Sequence, residues 1–176
     1  MLYKDLVELY EKLESTSGKL EKTSILAEFL KRVPEEEIDV VVNFASGYIF
    51  PPYSELELGV ATQLMIRAIS KTTGFSQKEV ESAFAELGDL GMVAEELTRK
   101  KKQASLFTKP LTVGDVYESA IKIATASGEG SQERKLEQIS RLLHFASPEE
   151  ARSVSYTHLR AHETEADLVC RLLLEK

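Results

Sequence analysis

"GFSQKEVESAFAELGDLGMVAEEL", residues 74–97, carries the pattern that sets the fold. Ser76 stands ahead of a helix-forming run, with Glu79 three residues on. That spacing predicts a capping box, in which each side chain satisfies a backbone N–H of the other residue. Leu87-Gly88-Asp89-Leu90-Gly91 interrupts the helix, and a second one starts near Asp89 or Leu90. Two helices joined by so short a polar connection form a helical hairpin.

The same periodicity extends in both directions. Leu2, Leu6, Leu9, Tyr10 and Leu13 mark a first helix that stops near residues 15–18. A second runs from Lys19 to Arg32 and is expected to bury Leu20, Ile25, Leu26, Phe29 and Leu30. Pro34 opens a third segment, from Glu35 to Ser46, because proline suits a first helical turn. The triplet Val40-Val41-Val42 there would also suit a strand. "GYIFPPYSE", residues 47–55, is a loop, since Pro51-Pro52 cannot continue a helix. A long helix is expected from Leu56 to Thr73, stopped by Gly74. Pro110 and Thr112 open another, reaching Ser127. Ser131 is expected to cap a helix bearing Leu136, Ile139, Leu142 and Leu143, and Ser147-Pro148-Glu149 starts one more. The fold class is all-α, a single domain of packed helical hairpins.

Composition narrows the function. The chain has 176 residues, 43% of them hydrophobic, one cysteine, three histidines and a net charge of −7. A single cysteine builds no disulfide framework, which fits a reducing, cytoplasmic setting. No apolar run is long enough to span a membrane. The acidic balance opposes non-specific nucleic-acid binding but leaves room for a local basic face.

The C-terminus, "SYTHLRAHETEADLVCRLLLEK", holds His158, His162 and Cys170. Histidines four apart share a helix face and can bind zinc, with Cys170 as a third ligand. No fourth ligand has recognisable spacing, so no metal site is assigned. Read back into codons, Ser155 to Glu163 and the start of Thr164 match a common transposase adapter of sequencing libraries. Leu168 to Glu175 match a flow-cell primer, and the bases ahead of the adapter give Ser153 and Val154. The domain is therefore expected to occupy residues 1–152 and to be incomplete at its C-terminus. Residues 153–176 are expected to be a non-native tail that carries no function.

Catalysis finds little support in the body. His144, its one histidine, lies between Leu143 and Phe145 and reads as structural. Three stretches suggest binding instead. In "SGEGSQERK", residues 127–135, Gly128 and Gly130 permit positive φ and close approach of another backbone. Ser131 opens a helix whose free N–H groups suit phosphate, with Arg134 and Lys135 close behind. An ordinary helix–helix turn is the plainer reading. Arg99, Lys100, Lys101 and Lys102 form a run of four cations, either facing phosphate or solvated at a helix end. In Gln103-Ala104-Ser105-Leu106-Phe107, the two apolar residues either anchor the loop in the core or fill a pocket on a partner protein. A helical protein–protein module with no nucleic-acid role is the alternative on this reading.

Taken in order, "LEKTSILAEFLKRVP", "GYIFPPY" with "ELGVATQLMIRAI", "LGDLGMVAEEL", "KKKQASLFTKPLT" and "SGEGSQERK" resemble the N-terminal DNA-binding domain of archaeal ATP-dependent DNA ligases. The resemblance covers residues 1–152. It implies an all-helical, monomeric domain that grips nicked duplex DNA through phosphates and the minor groove, in replication, repair and recombination. It favours phosphate contact at Gly130, Ser131 and Lys135. It places Gln103, Leu106 and Phe107 where relatives carry a shortened sliding-clamp peptide, with Leu106 in place of the first aromatic. The full ligase uses ATP and Mg, and adenylates a lysine in a K-x-D-G motif. No K-x-D-G occurs in this sequence. The expectation is a parent enzyme and a fragment that needs no cofactor and is inactive alone.

Overall fold

The computed structural model describes residues 1–101 and 109–159. Among these, nine α-helices follow one another without a sheet. They are α1 (Tyr3–Ser15), α2 (Lys19–Leu30), α3 (Ile38–Ala45), α4 (Thr62–Thr73), α5 (Gln77–Leu87), α6 (Leu90–Arg99), α7 (Val113–Thr125), α8 (Ser131–Phe145) and α9 (Pro148–Leu159). A 3-10 turn, Glu35–Glu37, leads into α3. The all-α reading of the sequence holds.

The hairpin at residues 74–97 forms as its caps direct. Ser76 Oγ accepts from Glu79 N, and Ser76 N donates to Glu79 Oε2 at 2.7 Å. Gly88, at φ +71°, ends α5, and the Asp89 carboxylate accepts from Met92 N at 2.8 Å to start α6. Thr112 and Asp115 make a second capping box at the start of α7. Chain ends and middle are tied together there. Tyr3 N donates to Leu111 O and Val113 N to Met1 O, so α1 and α7 start side by side.

The most extensive helix pairs are α6 with α9 and α4 with α8. α8 also packs on α7 and α9, while α4 and α9 join further helices on their other sides. Tyr3, Leu6, Leu13, Met65, Ile66, Ile69, Ile123, Ile139, Leu142 and Leu143 are fully buried and form the densest part of one core. Tyr117 bridges Phe44 and Phe50, with ring centroids 6.3 and 6.2 Å away.

Several sequence expectations change. The helix expected from Leu56 begins only at Thr62. Leu58 and Val60 are both buried while Gly59 between them sits at φ +55°, so residues 58–60 lie on the core as a two-residue alternation that no helix provides. Leu20 is 88% exposed rather than buried. The inward face of α2 carries Lys22, Ile25, Leu26 and Phe29, and Leu20 falls off that register. Lys22 takes the inward place with its aliphatic stem. α2 ends at Leu30 and α7 at Thr125, short of the expected Arg32 and Ser127, whereas Val40–Val42 are helical as the third segment's reading expects. Ser131 is the first helical residue of α8; its N-cap is Gly130, at φ 74°, without a side-chain cap bond.

α9 crosses the expected boundary at Arg152 without a break. Ser153, Val154, Ser155 and His158 are buried, and Ser153 Oγ meets the Tyr3 hydroxyl at 2.9 Å. Burial is poorly matched to chemistry further along. Among the described residues, Ser155 Oγ and His158 Nε2 are buried without a hydrogen-bond partner.

Candidate nucleic-acid interface

α8 begins in a turn built by two glycines. Gly128 and Gly130 both sit at φ +74°, a conformation that L side chains adopt at a cost. The turn closes through Ser131 N to Gly128 O at 3.2 Å and Arg134 N to Gly130 O at 3.1 Å. No side chain caps the helix start. This end presents the positive pole of the α8 dipole.

The nominated cations surround this turn, but their charges are engaged inside the molecule. Arg134 folds back, its guanidinium donating to Ser127 O at 2.6 Å and Glu129 O at 3.0 Å. It clamps the turn while remaining exposed. Lys135 is only 8% exposed, and its Nζ donates to Leu58 O at 2.6 Å. Acidic residues sit close by. Glu129 lies within the turn, and Glu133 in the first turn of α8 pairs with Arg67 of α4 at 3.1 Å. The arrangement is a stiffened turn with backbone donors rather than an open cationic patch.

The second cationic group lies at the C-terminal end of α6. Arg99 pairs with Glu95 at 2.9 Å and with Glu149 at the start of α9 at 3.2 Å. Lys100 pairs with Glu96. Lys101 donates to Leu143 O at 3.1 Å and His144 O at 3.3 Å, so it caps the last carbonyls of α8. Burial holds its pKa below the usual lysine value. Arg99 and Lys100 remain exposed. Their ion pairs are surface pairs of the kind that contribute little and exchange partners easily. Lys102, Gln103, Leu106 and Phe107 lie outside the described residues, as do His162 and Cys170.

The turn thus gathers Gly128, Gly130, Ser131, Arg134 and Lys135 into one place. Arg99, Lys100 and Lys101 form a separate group by α9. Sequence reasoning missed Leu58 and Gly59, whose carbonyls hold Lys135. The alternation Leu58-Gly59-Val60 was the available signal. His144, expected to be structural, is exposed and lies edge-on to Phe145 at 5.1 Å.

The DNA ligase N-terminus family model matches residues 2–175, nearly the entire chain. The chain belongs to the DNA ligase N-terminal family. A DNA ligase of Thermococcus onnurineus is 44% identical over 159 residues, 90% of this chain and 28% of the relative. One from Methanosphaera stadtmanae is 41% identical over 158 residues, 88% of this chain and 28% of the relative. One from Archaeoglobus fulgidus is 41% identical over 153 residues, 86% of this chain and 28% of the relative. This ligase N-terminal domain therefore spans under a third of the length of these curated relatives. No helix among its described residues is long and apolar enough to cross a membrane.

Proposed function

We propose that this domain binds nicked duplex DNA on behalf of an ATP-dependent DNA ligase. Its membership of the DNA ligase N-terminal family carries the reading. The α8 turn supports it with a geometry suited to a phosphate backbone. Gly128 and Gly130 allow close approach, and the uncapped start of α8 offers backbone donors. Arg99 and Lys100 supply exposed charge that can leave surface carboxylates for phosphate. Net charge is −7, so attraction must be local to these places.

Sealing a nick needs an adenylated lysine, and the sequence holds no K-x-D-G motif to provide one. Among the described residues, no group of three or more His, Cys, Asp or Glu side chains is placed to hold a metal ion. The chain's task is to hold DNA as a monomer while chemistry is done by other parts of a parent ligase. A sliding clamp engaging Gln103, Leu106 and Phe107 belongs to the same reading.

Residues 153–176 read as a translated adapter. Support comes from the codon match and from polar atoms at Ser155 and His158 that are buried without partners among the described residues. Re-reading the source gene across Arg152 with a different adapter tests this. A frame that continues differently after "SPEEAR" supports the reading, and recovery of the same tail contradicts it.

Fluorescence anisotropy of a labelled nicked duplex, titrated with the chain at increasing salt, tests DNA binding. The expected result is binding at low salt that weakens linearly on a log–log plot, because phosphate contacts release counterions. Absence of binding at low salt, or affinity indifferent to salt, overturns it.

A further inference from the structure

Lys135 is the most constrained cation in the site. It sits one turn into α8, and its Nζ reaches across to the segment before α4. There it donates to Leu58 O at 2.6 Å and lies 3.4 Å from Gly59 O. Leu58 and Val60 on either side are buried, at 0% and 5% exposure. The carbonyls between these two anchors therefore turn toward the ammonium. Glycine is favoured at position 59 for two reasons. Its φ of +55° disfavours a side chain, and a Cβ there would lie 3.2 Å from Lys135 Nζ.

The energetics favour keeping this contact. A buried ammonium is costly unless it is hydrogen-bonded, and so is a buried carbonyl stripped of its donor. Swinging Lys135 out to a phosphate would forfeit both sides of the bond. Its neighbour Arg134, though exposed, also donates to backbone carbonyls, those of Ser127 and Glu129. Adjacent residues of α8 thus fix two backbone segments at once, the 127–130 turn and the 58–59 peptide.

We infer that Lys135 is a positioning residue: it locks the Leu58–Gly59 peptide against the start of α8, and so shapes the DNA-facing edge without itself contacting a phosphate. This rests on the DNA-binding reading above. Its charge is spent on backbone carbonyls, so its effect on DNA is geometric.

The salt dependence of binding separates the two roles. Each phosphate contact contributes about 0.9 to the slope of log affinity against log salt. The whole chain carrying Lys135→Met, checked for folding by circular dichroism, is titrated with the nicked duplex at several salt concentrations. The expected result is an affinity about tenfold lower at every salt concentration with the slope unchanged. Lys135→Arg should not restore affinity, since its planar fork is larger and differently aimed than the ammonium. A slope lower by about 0.9 means direct phosphate contact and overturns the proposal. Unchanged affinity overturns it as well.

If Lys135→Met does not fold, Gly59→Ala provides the second variant. It leaves the lysine in place and crowds its Nζ, and should also lower affinity at constant slope. Wild-type affinity in Gly59→Ala contradicts the proposal. Failure of the wild-type chain to bind DNA is a different result: it removes the DNA-binding reading itself, and the role of Lys135 at a DNA-facing edge falls with it.

Discussion

His158 has its Nδ1 2.8 Å from Val154 O, while its Nε2 is buried without a partner among the described residues. Burial pushes its pKa down from 6.5 to about 4, against a smaller opposing effect of the Val154 carbonyl. The unfolded chain therefore takes up this proton near pH 6.5 and the folded chain only near 4. Between those values the unfolded state binds more protons, so stability falls as pH falls. The loss approaches roughly 3 kcal/mol by pH 4. Urea unfolding at pH 7 and pH 4.5 should show it. His158→Leu should remove this part of the pH dependence and raise stability at both pH values. An identical pH dependence in the variant would show that other groups cause it. Single residues were the least legible scale in the sequence. Lys135 looked like a phosphate ligand because its position after two glycines is visible, whereas its partners lie 76 and 77 residues away. Leu20 looked buried because a leucine near an apolar face reads as part of it; only the packing of α2 shows Lys22 taking the inward place.

Helices were more legible because their signals are local. The capping box at Ser76 and the Asp89 cap both form where the sequence places them. Ser76→Ala should cost about 1 kcal/mol, read as a lower urea midpoint with an unchanged slope. Thr112→Ala should cost a similar amount, since Asp115 depends on the same box. The start of α4 was misread for a physical reason. Residues 56–73 satisfy a helical period, but the left-handed Gly59 and the carbonyl bonds to Lys135 hold residues 58–59 out of it. The packing of α6 on α9 was not legible either. Gly91 is buried, and a Cβ there would come within 2.8 Å of the Tyr156 ring and 3.1 Å of the Asp89 carboxylate. Gly91→Ala should therefore destabilise by about 1–3 kcal/mol in thermal unfolding, more than its gain in helix propensity returns. Wild-type stability in that variant would mean that α9 moves freely against α6.

The all-helical architecture of the whole molecule followed from repeated caps and short polar connections, because each hairpin declares itself locally. Which helices pair depends on long-range burial that the pattern does not encode. The same separation holds for the site. Its glycine turn was readable, whereas the internal use of Arg134, Lys135 and Lys101 emerged only from the fold. With that many cations engaged on carbonyls and a net charge of −7, the proposed DNA binding requires a few placed contacts rather than a broad field. Amide hydrogen exchange of the chain, with and without a nicked duplex, tests that claim most directly. The account predicts protection gained at residues 58–61 and 127–133, with the outer face of α2 unaffected. Protection confined to other surfaces, or none under conditions where the duplex is bound, would contradict it.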